Sequence, residues 1–317
     1  MSPRVLFIGT SEFAAPSLEA VASMPDARVV AVVTQPDRPK GRGRAPAESP
    51  VKQAAARLGL PVLQPDRVRA RTFLREARAL APDLIALASF GQIIPAALLD
   101  LPPLGPVNVH ASLLPAYRGA APIQRALLAG EARTGVTTMW MEPTLDTGDI
   151  LLSRQVEIAP DDDAGSLTDR LAREGADLLV ETIRLLRDGS CPRTPQSDAH
   201  ATWAPAIESR DAEVRWFEAA CAVRNRVRAM SPRPGAVATL AGRRLKLWRA
   251  HAEDGAAGGA PGEVLAVTRD GVVVATGVGV VTLREVQPEN GRRMAASDWA
   301  RGARVAPGAC FHPSGEL

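Results

Sequence analysis

Val5-Leu6-Phe7-Ile8-Gly9 and Arg28-Val29-Val30-Ala31-Val32-Val33-Thr34 are the two stretches that decide the fold. Both are short, nearly unbroken apolar runs rich in β-branched residues, as expected of strands buried on two faces, and residues 14–24 between them suit a helix. Strand, helix and second buried strand make a βαβ unit, which implies a parallel sheet. The alternation continues outward. Further strands are expected at 83–89, 105–111, 134–141 and 150–158, with helices near 51–58, 72–80 and 123–129. A longer helix, 166–187, enters through Asp161-Asp162-Asp163-Ala164-Gly165 and leaves through Asp188-Gly189. The expected fold class is therefore α/β, a Rossmann-like, doubly wound, mostly parallel sheet over residues 1–189.

Beyond it the pattern changes. Residues 190–209 are rich in Pro, Ser, Thr and Asp and lack periodicity, so they read as a linker. One helix (218–230), five closely spaced strands (236–240, 244–250, 262–268, 271–276 and 278–286) and a short helix (296–301) follow, separated by Gly-rich turns. That spacing suggests a small β-barrel of the oligonucleotide-binding (OB-like) type over residues 210–317.

A chain of 317 residues is about twice a typical domain, which agrees with this division. With 46% hydrophobic and 23% charged residues and no apolar run of bilayer length, it is expected to be a soluble, cytoplasmic protein with no membrane partner. Cys191, Cys221 and Cys310 are far apart and have no His at ligand spacing, so neither a disulfide framework nor a metal site is expected. The first strand runs into Gly9-Thr10-Ser11-Glu12-Phe13-Ala14, which is not a G-x-G-x-x-G turn, and no Walker lysine exists; a dinucleotide cofactor is disfavoured. The net charge of +3 is unevenly spread. Residues 1–78 carry 13 basic and 7 acidic side chains, 79–200 carry 9 and 16, and 201–317 carry 16 and 12. Two basic ends flanking an acidic middle could grip a polyanion.

The chemistry is concentrated in Val107-Asn108-Val109-His110-Ala111-Ser112-Leu113-Leu114-Pro115-Ala116-Tyr117-Arg118-Gly119-Ala120-Ala121-Pro122. On a strand Asn108 and His110 project to one face and Val107 and Val109 to the other. A carboxamide and an imidazole thus converge near the carboxyl end of an interior strand, where open α/β sheets place their ligand crevice. Thr144-Leu145-Asp146-Thr147-Gly148-Asp149 is a polar turn whose carboxylate could reach the same crevice and fix the histidine tautomer. Such a set can hold an oxyanion and move a proton, with an amine substrate acting as its own nucleophile. A structural histidine and an Asx turn would account for the parts taken singly.

As a whole the run is far more specific. Together with Phe7-Ile8-Gly9-Thr10-Ser11-Glu12-Phe13, Thr34-Gln35-Pro36-Asp37-Arg38-Pro39-Lys40-Gly41-Arg42-Gly43 and Ser49-Pro50-Val51-Lys52, it closely resembles the folate-dependent formyltransferases over essentially the full chain. The resemblance implies transfer of the formyl group of 10-formyltetrahydrofolate to the α-amine of methionine on initiator tRNA, without a metal, by what is expected to be a monomer. It implies that Asn108 and His110 stabilise a tetrahedral oxyanion, while Asp146 orients His110 and relays the proton leaving the amine. Folate is implied at Phe90, Gly91 and Gln92 and at Ser112, Leu113, Leu114 and Pro115. Family members usually carry Tyr in place of Phe90 and a lysine in place of Ala206. Trp203, beside that departure, is expected to pack. Arg38, Lys40, Arg42 and Arg44 lie in a Gly/Pro-rich segment, 36–46, expected to be an irregular loop that contacts the tRNA acceptor stem. Arg243, Arg244, Lys246 and Arg249 are expected to cover tRNA outside the acceptor end. The same trio would equally serve a formyltransferase acting on an amino sugar nucleotide or a glycinamide ribonucleotide. A noncatalytic RNA-binding module is a further alternative.

Overall fold

The computed structural model of the protein describes residues 2–40 and 45–312. The chain divides into two compact units: 1–122, 133–157 and 168–204 in the first, and 123–132, 158–167 and 205–317 in the second. The division cuts the stretch read as a linker after Ala204, and residues 190–204 are bonded into the first unit. Thr194, for example, bridges Ile150, and Trp203 bridges Arg118.

The first unit opens with β1 (Arg4–Gly9), α1 (Ala15–Ala22) and β2 (Arg28–Val33). A ribbon of β3 (Arg38–Lys40) and β4 (Ala45–Ala47) precedes α2 (Pro50–Arg57), β5 (Val62–Leu63), α3 (Arg71–Ala79), β6 (Leu84–Ala88) and α4 (Ala96–Leu99). Then come β7 (Pro106–His110), α5 (Pro122–Ala129), which falls almost wholly in the second unit, β8 (Arg133–Trp140), β9 (Ile150–Glu157) and α6 (Ala164–Arg187), whose residues from Thr168 on belong to the first unit. Seven strands form one sheet in the order β5-β2-β1-β6-β7-β8-β9. The first five are parallel, and β8 and β9 run antiparallel at the edge.

Register decides what each face of the sheet carries. Ile8 sits beside Leu87 and Leu87 beside Asn108, so these three side chains share a face. Over most of that face Leu6, Ile8, Val33, Ile85 and Leu87 pack against Phe73 and Ala77 of α3 and Leu98 and Leu99 of α4. Asn108 and His110 continue the same row after the apolar side chains stop, which marks where a site can open. The opposite face carries Val109 against α6, and Thr138 Oγ1 lies 2.7 Å from Thr182 Oγ1. Close approach there depends on Gly175: a Cβ added to it would stand 2.8 Å from Val109 Cγ1.

Within the segment expected to be an irregular loop, residues 38–40 and 45–47 form two strands instead. Arg38 pairs with Ala47, Pro39 with Pro46 and Lys40 with Ala45, antiparallel. Proline is excluded from central strands because it cannot donate, but an isolated two-stranded ribbon has free edges where that lack is tolerated.

In the second unit α7 (Ala220–Ala229) is followed by β10 (Ala236–Leu240), β11 (Arg243–Glu253), β12 (Val264–Thr268), β13 (Gly271–Ala275), β14 (Val280–Pro288), β15 (Met294–Ala295), α8 (Ala296–Ala303) and β16 (Phe311–His312). The antiparallel order is β12-β13-β14-β11-β10-β16, with β15 on β14. A bridge from Glu263 to Cys310, with Phe311 N–H donating to Gly262 O at 2.8 Å, joins the two ends into an OB-like barrel. Closing the sheet on itself removes its exposed edges. The two-residue strand β16, absent from the sequence reading, thus completes the barrel, and its Phe311 ring lies 5.1 Å from that of Trp216 in the core.

Two helical glycines should respond oppositely to the same change. Gly175→Ala should lower the melting temperature, because overpacking against Val109 costs about 1–3 kcal/mol. Gly302→Ala on α8, with nothing within 4 Å of the added Cβ, should hold or raise it through helix propensity worth up to about 1 kcal/mol. Thermal unfolding followed by circular dichroism reads both.

Candidate active site

β7 is hydrogen-bonded to β6 on one side and β8 on the other, so its carboxyl end is held from both flanks. Asn108 and His110 are only 8% and 6% exposed. Burying polar side chains to that degree is costly unless they are paired. His110 is paired: its Nε2 donates to the carbonyl of Tyr117 at 2.9 Å, and its Nδ1 faces Asp146 Oδ2 at 3.6 Å. The Asn108 carboxamide makes no hydrogen bond to any described residue, which leaves its N–H groups free.

Asp146 reaches the ring from the turn between β8 and β9. It has a left-handed φ of 54°, a conformation that Asp adopts more readily than most residues. Its Oδ2 also accepts the backbone N–H of Gly119 at 2.8 Å. The three residues read from the sequence as one set are therefore brought together, His110 and Asp146 directly and Asn108 on the same strand face.

The segment after β7 is fixed by short-range bonds. Thr137 Oγ1 donates to Ser112 O at 2.7 Å and accepts from Leu114 N, while Ser112 Oγ donates to Ala116 O at 2.6 Å. Residues 202–204 run beside it: Arg118 N donates to Thr202 O at 2.9 Å, and Ala204 N to Arg118 O at 2.7 Å. This pairing uses the backbone of Thr202 and Ala204 on either side of Trp203, whose indole is 62% exposed rather than packed as expected.

Most of the residues expected to line a folate site are packed or hydrogen-bonded within the chain. Phe90 is buried in the apolar core beneath α3 and α4. Gln92 accepts from Val68 N–H at 3.1 Å and donates to Asp66 O, and Ser112 is sealed by its bond to Ala116. Leu114 is buried and Leu113 half-buried, Pro115 is partly open, and Gly91 is exposed. A cavity of about 290 Å³ instead lies between α4 and the adjoining ends of β7 and β8, lined by Ala96, Leu99, Pro106, Trp140 and Met141 with Asp100 and Glu142 among its polar members. Pro106 stands two residues before Asn108 and shares its face. None of these lining residues carried a motif signal in the sequence.

Arg38, at the base of the ribbon, is exposed, and Lys40 lies on β3. Arg42 and Arg44 fall outside the described residues. The ribbon's root is anchored by Asp37, which pairs with Lys52 and accepts from Gln64. The Lys52 ammonium, and after it the Gln64 amide, hold the Asp37 carboxyl below the usual aspartate range, and Asp37 in turn raises Lys52. Among the described residues no His, Cys, Asp and Glu cluster could hold a metal ion, and no helix is long and apolar enough to cross a membrane.

The fold is that of a formyl-transferring enzyme. Residues 3–183 match the formyl transferase family model and 206–304 the model of the formyl transferase C-terminal domain, and the chain belongs to this family. Among full-length relatives, the methionyl-tRNA formyltransferase of Syntrophus aciditrophicus is 48% identical over 304 residues, covering 96% of this chain and 97% of its own. That of Geobacter sulfurreducens is 45% identical over 314 residues, covering 99% and 98%. Of solved structures, an N-formyltransferase from Helicobacter canadensis in complex with folinic acid and dTDP-3-aminofucose superimposes with a TM-score of 0.65 at 17% identity, over 88% of this chain and 98% of that one. HypX from Aquifex aeolicus in complex with tetrahydrofolic acid gives 0.63 at 20% identity over 95% of this chain, which spans about half of that protein, 47%. At such identities the likeness is one of fold.

The contact between Asp146 and the 117–119 segment needs glycine at 119, where φ is +124° and an added Cβ would stand 2.7 Å from Ala204 O. Gly119→Ala should therefore cost about 1–3 kcal/mol of stability through backbone strain, read as a lower urea midpoint with an unchanged slope.

Proposed function

We propose that the protein transfers the formyl group of 10-formyltetrahydrofolate to the α-amino group of methionine esterified to initiator tRNA. The observation that carries this reading is the meeting of His110 and Asp146 at 3.6 Å beside an unpaired Asn108 carboxamide, in a chain that matches methionyl-tRNA formyltransferases from end to end. Attack of the amine on the formyl carbon places negative charge on the formyl oxygen. Asn108 offers that oxygen preorganised N–H donors, beside the buried His110 ring held between the Tyr117 carbonyl and Asp146. Each such donor is worth about 2.7–4 kcal/mol in other enzymes. Asp146 orients His110, and its Oδ1, the oxygen not engaged by Gly119, accepts the proton leaving the amine, directly or through water; as the tetrahedral carbon collapses, the bond from the formyl carbon to folate N10 breaks and that proton passes to N10, releasing tetrahydrofolate and the formylated amine.

The cavity beside Pro106, about 290 Å³ and so just below the usual size range of small-molecule sites, offers the donor's flat heterocycle an apolar lining and a place along the Asn108 face. Folate would thus lie against Leu99, Pro106 and Met141, with residues 89–95 and 112–115 as the frame around it. Arg38, Lys40, Arg42 and Arg44 of the 36–46 segment would contact the acceptor stem. Arg243, Arg244, Lys246 and Arg249, all exposed on β11, would contact tRNA outside the acceptor end, on the proposed tRNA-binding domain. The catalytic roles therefore fall within 1–189 and the tRNA-covering role within 210–317.

Incubation with 10-formyltetrahydrofolate and charged initiator tRNA should yield formylmethionyl-tRNA, whereas transfer to amino sugar nucleotides or glycinamide ribonucleotide should be absent. His110→Ala and Asp146→Ala should each lose at least about a hundredfold in turnover while remaining folded. Near-normal turnover in either would contradict the assignment. Arg42→Ala should weaken use of the tRNA and reduce the slope of its salt dependence by about one unit, leaving the KM for folate unchanged.

A further inference from the structure

We propose that Gln196 is a positioning residue of the formyl-transfer site, clamping the Asp146 turn to the 117–119 segment so that carboxylate, imidazole and amide stay in register. The inference rests on the roles proposed above for Asp146 and His110. The Gln196 carboxamide uses all its principal bonding capacity at this one place. Its Nε2 donates to Asp146 O at 3.0 Å and to Gly148 O at 2.7 Å, and its Oε1 accepts from Arg118 Nε at 3.0 Å. The opposite orientation would set an oxygen against two carbonyls and an NH₂ against a guanidinium, so only the one arrangement satisfies the site.

The two things it joins are the two that matter. The Asp146 and Gly148 carbonyls belong to the turn that aims the carboxylate. Arg118 lies between Tyr117, whose carbonyl accepts from His110, and Gly119, whose N–H donates to Asp146. Arg118 is itself almost fully buried, with Nη1 on Asp198 at 2.8 Å and Nη2 sealed without a partner. Among the described residues Gln196 is the guanidinium's only uncharged partner. Without the carboxamide the Asp146 and Gly148 carbonyls lose a donor and the buried guanidinium loses one of its two partners, at the point where Asp146 sits in a left-handed conformation. Loss of a partner that orients a catalytic group costs about ten- to a hundredfold in comparable sites.

The test is a double-mutant cycle in single-turnover formyl transfer, with Gln196→Ala made in the wild-type and in the Asp146→Asn background. The expected result is a ten- to hundredfold lower rate in the first, with KM for folate and tRNA within twofold, and less than a twofold further change in the second. Gln196→Glu, which keeps the oxygen toward Arg118 but loses both donors, should not restore the rate. Should Gln196→Ala fail to fold, Arg118→Lys, which keeps the charge for Asp198 but shortens the fork facing Gln196, is carried through the same cycle with the same expectation. Equal losses in both backgrounds, a normal rate, or full rescue by Gln196→Glu would overturn the inference. A wild-type protein that transfers no formyl group would contradict the functional reading instead, and is distinguished by that control.

Discussion

A single carboxylate, that of Asp146, ties the site together. It accepts the Gly119 amide at 2.8 Å and faces His110 Nδ1 at 3.6 Å. Both ends of the imidazole are thereby constrained, since Nε2 is already committed to the Tyr117 carbonyl. A buried charge next to a buried ring is tolerable only with such partners. The surrounding structure supplies them from three separate stretches of chain: the end of β7, the segment at 117–119 and the turn between β8 and β9. Preorganised groups of this kind need no rearrangement as charge develops, and that is why geometry is the main currency of the site.

The sheet explains why these residues can be polar at all. Along the face shared by Ile8, Leu87 and Asn108, aliphatic side chains fill the space under α3 and α4 and then give way to Asn108 and His110 at the carboxyl end of β7. On the other face Val109 stays packed against α6, so the strand remains anchored where its neighbours turn functional. The cavity begins at Pro106 on the Asn108 face.

Much of this was legible in the residues. Strand periodicity places Asn108 and His110 on a common face, and the strand and helix positions of both units follow from local patterns of β-branched runs and Gly-rich turns. What local pattern does not carry is partnership over distance. Gln196 lies 50 residues from Asp146 in a stretch without periodicity, and its role exists only once the chain returns past Arg118. β16 is two residues long and has meaning only as the closure of a ring. The 38–47 ribbon escaped because facing prolines look like breakers until the edges prove free. Motif reading also does not show that Phe90 packs into the core or that Gln92 bonds the 66–68 loop. The cavity residues are ordinary apolar side chains, and only their arrangement distinguishes them.

The central claim is that the site prefers a tetrahedral carbon bearing a negative oxygen over a planar formyl group. Differential binding of two folate analogues tests it most directly, one with a planar amide and one with a tetrahedral anionic centre where the donor carries its formyl carbon. The account expects the tetrahedral analogue to bind at least about a hundredfold tighter to the wild type, with that preference collapsing in Asn108→Ala. Equal affinity for the two analogues, or a preference that survives loss of the Asn108 carboxamide, would contradict it.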